Sequence, residues 1–228
     1  MLFSLIRGQL DFTSAIIEVV AILVIIFLVL PFHEWAHAFT ASKLGDTSIK
    51  YRGRLTLNPL AHIDPIGALA LLLFGFGWAK PVPIDPRNFK KPKLGMAIVA
   101  LMGPVANIVA AIAGGLILNA LAKFAPNLFA ASNTVGAYIL LFFSFYVQVN
   151  VRLAVFNLLP IPPLDGSKIL FVFLPDKWVS KFYQYQQIIS LILIALLWVG
   201  VLNIPLNFLS GYLLKFINWI TALPFSFF

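Results

Sequence analysis

Residues 21–37 read AILVIIFLVLPFHEWAH. Its first ten residues carry no polar side chain, and its last seven hold two histidines and a glutamate. A run this apolar predicts a long helix, roughly Ser14 to Ser42, whose solvent is lipid. Pro31 has no backbone N–H to donate and predicts a kink in it. The polar residues begin directly after that proline.

The rest of the chain agrees with a lipid setting. Of its 228 residues 61% are hydrophobic and 11% charged, where a soluble domain carries about 25% charge. A water-soluble fold could not hide that much apolar surface. With no cysteine there is no disulfide and no thiol nucleophile, and any metal must take histidine and carboxylate ligands. The first segment is not read as a removable signal peptide, since neither a positive n-region nor a small-residue cleavage site is clear. The net charge is +8. Its basic residues fall in loops beside apolar spans, which points to membrane topology and not to nucleic acid.

Outward from the opening stretch, residues 2–12 are mixed and short, an interfacial segment. Residues 46–58, DTSIKYRGRLTLN, alternate apolar and polar side chains with period two and predict a half-buried strand or hairpin, with Gly53 near a turn. A turn-rich NPLAHIDPIG follows. Ala68 to Phe76 is apolar but too short for a bilayer, which needs about 20 residues. It returns at once to AKPVPIDP, so residues 66–78 are read as a re-entrant loop. Leu94 to Ala122 and Thr134 to Leu159 read as spans, the first carrying the small-residue clusters GPVAN and AAIAGG. Residues 160–185 form a proline-rich loop. Ile188 to Val201 and Leu206 to Ile220 close the chain. The expectation is an all-α polytopic membrane protein with about five to six transmembrane helices, a small cytoplasmic-side β element and a re-entrant loop. It is one domain over 1–228, with a core at about 14–175 and two C-terminal helices at about 186–222.

Lysine and arginine orient it. Four lie in the 43–64 loop, five in 79–93 and three in 160–185, against Arg7 and Lys123 on the other side. The basic loops therefore face the cytoplasm, with the N-terminus outside and the C-terminus inside. Arg152, near the cytoplasmic end of its helix, is expected to snorkel to headgroups, and Glu18 to sit at the opposite interface.

His33, Glu34 and His37 form H-E-W-A-H. Residues four apart on a helix lie about 40° apart around the axis, so both imidazoles can face one metal. Glu34 projects beside them, placed to take a proton from a metal-bound water, whose pKa zinc lowers to about 7. A chance pentapeptide is disfavoured by depth, because an ionisable residue inside a bilayer costs about 2.5–3.5 kcal/mol on insertion scales. A divalent cation offsets that cost. If the helix leaves the membrane near Lys43, the metal lies roughly 9–15 Å beneath the cytoplasmic surface at about 1.5 Å per residue. A third ligand is needed. Asp165, His62 and Asp64 are all candidates, and spacing does not choose among them. Each of the last two, and Asp165 before Gly166, could equally be a turn former.

HEWAH with the downstream NLLPIPPLDG, and with NPLAHIDPIG, GWAKPVPIDP and GPVAN, resembles the site-2 protease family of intramembrane zinc metalloproteases. The likeness runs from about Phe32 to Ile169. It implies one zinc per chain held by His33, His37 and Asp165. It implies Glu34 as general base and acid, and Asn157 as a donor to the oxyanion of the tetrahedral intermediate. Asn157 could instead make a helix–helix hydrogen bond. Gly103, Pro104 and Asn107 match a family motif and are assigned to packing. The resemblance further implies a multi-pass protein of a prokaryotic cell membrane with its active site opening to the cytoplasm, and single-pass transmembrane proteins as substrates. No stretch is read as a PDZ-like or nucleotide-sensing domain, so the chain looks like a bare catalytic core. Substrate would have to unwind, and residues 46–58 and 79–85 could offer strand edges to hold it. The rival reading is a zinc-binding membrane protein without proteolysis, such as a transporter or binder. A glutamate third ligand is all but excluded, because the only glutamates are Glu18 and Glu34.

Overall fold

The structure is a computed structural model that describes residues 19–20, 23–74, 77–130 and 133–226. Glu18, Arg7 and the 2–12 segment lie outside them. All regular elements among the described residues are helical. The chain divides into two compact units, Met1–Phe89 and Lys90–Phe228.

The first unit is built on helix α1, Leu30–Leu44. A five-residue π segment, Ile25–Val29, leads into it, and the Leu30 N–H bonds back to the Ile25 carbonyl. Pro31 explains the wider turn. It offers no N–H to the carbonyl four residues earlier, so the ladder loses a rung there. Pro31 is buried at the first turn, and the expected kink is met by this local change of helix type.

The predicted strand over 46–58 is not observed. Instead α2 spans Ser48–Tyr51, followed by turns to the short helix α3, Pro59–His62. The alternation is real but serves another geometry. Ile49 is fully buried while Tyr51 is exposed, and the Asp46 carboxylate accepts from both the N–H and the hydroxyl of Ser48. That side-chain bonding turns the chain before a strand can start.

Helix α4 covers Pro65–Phe74, ten residues, too few to cross a bilayer. Asp64 caps it by accepting from the Gly67 N–H at 2.8 Å. The segment leaves and returns at one place. Ile63 and Ala79 form an antiparallel bridge, and the Lys80 N–H bonds to the His62 carbonyl at 2.8 Å. This bridge is the whole of the β pairing among the described residues.

The second unit is a helical bundle. Its axis is α5, Pro92–Phe124, packed by α6, Thr134–Asn157, by the six-residue α7, Asp165–Leu170, and by α10, Asn203–Ser226. Between them come α8, Asp176–Gln184, and α9, Gln186–Val199. The small residues of α5 are its buried face: Ala106, Ala110, Ala111, Gly114 and Gly115. With Ala111 at its centre, a core forms from Val147, Val151 and Ile217. Close approach of this kind is how helices associate where lipid offers no hydrophobic drive. Amides fasten it, buried Asn107 donating to Asn150 at 3.0 Å and half-buried Asn119 to Thr221 at 3.2 Å. Arg152 donates to Asn207 on α10 at 2.6 Å, so its partner is a protein amide as well as any headgroup.

By length and composition, α5 and α6 can cross a membrane, and α8 with α9, bent by 65°, make a third span if taken as one. Among the described residues these account for two to three of the five to six spans expected. The opening helix is divided by residues 21–22, which lie outside the described set. The last apolar stretch lies in α10, among Asn207, Ser210, Lys215, Asn218 and Thr221, which lower its hydropathy. Outward faces are nonetheless apolar. Trp198 is 92% exposed and Leu191 67%, as suits side chains that meet lipid.

Candidate metal centre

His33 and His37 sit one turn apart on α1, and both are buried. Their Nε2 atoms are 3.0 Å apart, with the rings edge to face at 84°. Two imidazole nitrogens on a tetrahedral zinc lie about 3.3 Å apart, given Zn–N bonds of about 2.0–2.1 Å. The pair thus converges within a few tenths of an ångström of what zinc needs. The opposite side of the helix is aromatic: Trp35 stacks on Phe32 at 5.8 Å and on Phe39 at 5.1 Å. That stack fixes the helix's rotation, so the imidazoles face away from it.

Glu34 is half-buried between these two faces. Its Oε2 accepts the peptide N–H of Val82 at 3.2 Å. Sequence reasoning missed this contact. A backbone donor leaves one trace in sequence, the PVP triplet, where Val82 is the one residue of three that still has an N–H.

The alternative ligands of this unit have other duties. His62 is fully buried and its Nε2 donates to the Thr56 carbonyl at 2.8 Å. Asp64 caps α4. Arg54 donates to the Ala61 carbonyl and holds the same turn. Asp46 is buried where α1 ends. Burial pushes its carboxyl up, but bonds from Ser48, Asp85 and Asn88 outweigh this and hold it below the usual carboxylate range. Asp85 falls further, to about 2, through the Arg87 guanidinium at 2.7 Å.

In the second unit Asp165 opens α7 and is buried. The Lys168 ammonium lies 3.1 Å from its Oδ1. Gly166 is packed against the Leu158 and Leu159 carbonyls where a Cβ has no room, so the NLLPIPPLDG stretch folds back tightly on itself. Asp165–Gly166 therefore begins a helix, not a simple turn. Asn157 ends α6, half-buried, and its Nδ2 donates to the Leu153 carbonyl one turn back at 3.1 Å. This bond lies within its own helix and is not the helix–helix bond that was the alternative to an oxyanion role.

Comparison with known proteins bears on this chemistry. The model of peptidase family M50 matches residues 20–200. A Bacillus subtilis (strain 168) protein named "Putative zinc metalloprotease YwhC" is 43% identical over 154 residues, which is 68% of this chain and 69% of that one. "Putative zinc metalloprotease Rip2" of Mycolicibacterium smegmatis (strain ATCC 700084 / mc(2)155) is 35% identical over 139 residues, 59% of this chain and 49% of its own. Its namesake in Mycobacterium tuberculosis (strain ATCC 25618 / H37Rv) is 32% identical over the same share. The match thus spans about half the length of both Rip2 proteins. No solved structure matches the chain. Because the family model covers both the histidine pair and the LDG stretch, this chain belongs to peptidase family M50, and is a zinc metallopeptidase.

Proposed function

We propose that the chain is an intramembrane endopeptidase that hydrolyses peptide bonds within or near the transmembrane segments of single-pass proteins. The observation that carries this is the buried His33–His37 pair, its Nε2 atoms 3.0 Å apart, on a helix that runs out of an apolar stretch. Asp165 completes the ligand set in this reading, which the family match over both the HEWAH and the LDG stretches supports. Two neutral imidazoles and one carboxylate leave a divalent ion at about +1, and Glu34 brings the centre near neutrality, as a low-dielectric site requires.

When bound, zinc supplies Lewis acidity, which polarises a carbonyl and makes water nucleophilic near neutral pH. The protein's groups do the rest. Glu34 takes the proton of the attacking water and passes it to the departing amine nitrogen. The Val82 N–H on its Oε2 leaves Oε1 for that transfer. Asn157 has a second N–H besides the one given to Leu153, and this amide donates to the oxyanion.

Substrate is held extended by the 79–85 segment, which already bridges Ile63 at Ala79 and lacks regular structure from Lys80 to Asp85. Residues 46–58 do not share this task, since they are not a strand. Basic loops at 43–64, 79–93 and 160–185 support a centre open to the cytoplasm, and the bacterial relatives support a prokaryotic cell membrane. Five crossings would follow if α8 with α9 make one span and if α1, with the residues before it, and α10 also span.

Purified protein incubated with a panel of single-pass substrates, with and without a zinc chelator, tests the reading. Cleavage should need zinc and vanish in Glu34→Gln. Bound zinc with no cleavage of any substrate favours a non-proteolytic binder instead.

A further inference from the structure

Asp46 lies just beyond α1, with none of its surface exposed. A buried carboxylate is costly unless its oxygens are bonded. Here Oδ1 accepts from the Ser48 N–H at 3.2 Å, the Ser48 hydroxyl at 2.6 Å and the Asn88 amide at 2.9 Å, while Oδ2 accepts the Asp85 N–H at 2.8 Å. Ser48 alone would suffice to make the local turn. The two distant donors, about forty residues on in the chain, serve another purpose: they fasten residues 85–88 to the end of the catalytic helix. Gly45 supports the same approach. Its φ is +122°, and a Cβ there would meet the Asn88 carbonyl oxygen at 2.7 Å, so the two backbones touch.

Val82, three residues before Asp85, gives its N–H to Glu34. Prolines limit the freedom of this segment: Pro83 fixes φ between the two anchors, and Pro81 and Pro86 fix it on either side. Val82 and Phe89 are both buried, which holds the ends of the segment.

We propose that Asp46 is a positioning residue for the reaction, holding residues 82–88 so that the Val82 N–H stays on the Glu34 carboxylate. It rests on the reading of Glu34 as the base. Loss of the Asp46 anchor lets the segment drift, and Glu34 then spends time turned away from the reacting water.

The full chain in nanodiscs, loaded with zinc, tests this with Asp46→Asn and the milder Asn88→Ala, each beside wild type. In Asp46→Asn, kcat on a single-pass substrate should fall about tenfold, the loss expected when a bond to a charged group is no longer held. KM should stay within about twofold and zinc content should not change. Asn88→Ala should fall in the same direction by less. Amide exchange at Val82, read in zinc-free protein as well, should quicken in both. Unchanged exchange at Val82, or unchanged kcat in both variants, overturns the proposal. So does a fall in zinc content that matches the fall in kcat, because Asp46 would then be scaffold only. Wild-type protein that binds zinc and cleaves nothing refutes the protease reading instead, and exchange at Val82 still decides whether Asp46 holds the segment.

Discussion

His33 and His37 present their Nε2 atoms to each other at 3.0 Å inside a buried face of α1. Two basic nitrogens so close, away from water, are the arrangement a divalent ion stabilises. His33→Ala and His37→Ala should each lower zinc affinity by more than the roughly 10–100-fold that loss of a mere outer partner causes. Metal analysis after dialysis against a weak chelator measures it. Full zinc retention in either variant would place the metal elsewhere.

Glu34→Gln should behave differently. The amide keeps the shape and still accepts the Val82 N–H, so fold and zinc content should hold. It cannot take a proton, and turnover should drop by about 10²–10⁴-fold, the usual worth of a positioned acid–base. Single-turnover cleavage with zinc content read on the same sample checks both halves. Cleavage near the wild-type rate would remove Glu34 from the mechanism.

How much was legible in the sequence follows from how local each feature is. The histidine spacing is a property of five residues and needs no tertiary knowledge. The return of the chain at Ala79 was legible from the shortness of the apolar run. The 46–58 segment was misread because alternation in sequence need not become alternation in burial: Ile49 is buried while Tyr51 and Leu57, two and eight positions on, are exposed. Alternation does not register the two Ser48 bonds to Asp46 that make the local turn, and the donors that fasten that turn, at Asp85 and Asn88, lie beyond any window of sequence. The Val82–Glu34 bond spans 48 positions and is hidden for the same reason. The number of spans is less legible, because the last apolar stretch is interrupted by Asn207, Ser210, Lys215, Asn218 and Thr221 in α10.

Acid should loosen the first unit at the Asp46 hub. Both Asp46 and Asp85 have native carboxyls below the ordinary value near 3.9. A depressed native pKa gives stability that is complete above the unfolded pKa and is lost as pH falls through the native one. Protection of the amides in residues 45–54 and 85–89, with the intrinsic pH dependence of exchange divided out, should therefore be flat at neutral pH and fall below about pH 4, continuing toward pH 2, where Asp85 titrates. Zinc-free protein is used so that ligand protonation does not intrude. In Asp46→Asn the Asp46 part of this response should vanish. An equal response in that variant would assign the acid sensitivity to other carboxylates.

Gly166 offers the sharpest test of the second unit. It follows Asp165 directly and lies against the Leu158 and Leu159 carbonyls, where a methyl group meets backbone and not a side chain that could swing aside. Gly166→Ala must therefore push α7 away from the end of α6. The cost should be about 1–3 kcal/mol, as for overpacking elsewhere, seen as a lower midpoint in thermal denaturation of the detergent-solubilised protein. Asp165 moves with α7. If its carboxylate is the third ligand, zinc affinity should fall in the same variant, while Gly211→Ala, where a Cβ meets open space, should change neither. A destabilised Gly166→Ala protein with wild-type zinc affinity would separate the packing of the LDG turn from metal binding and send the search for the third ligand away from Asp165.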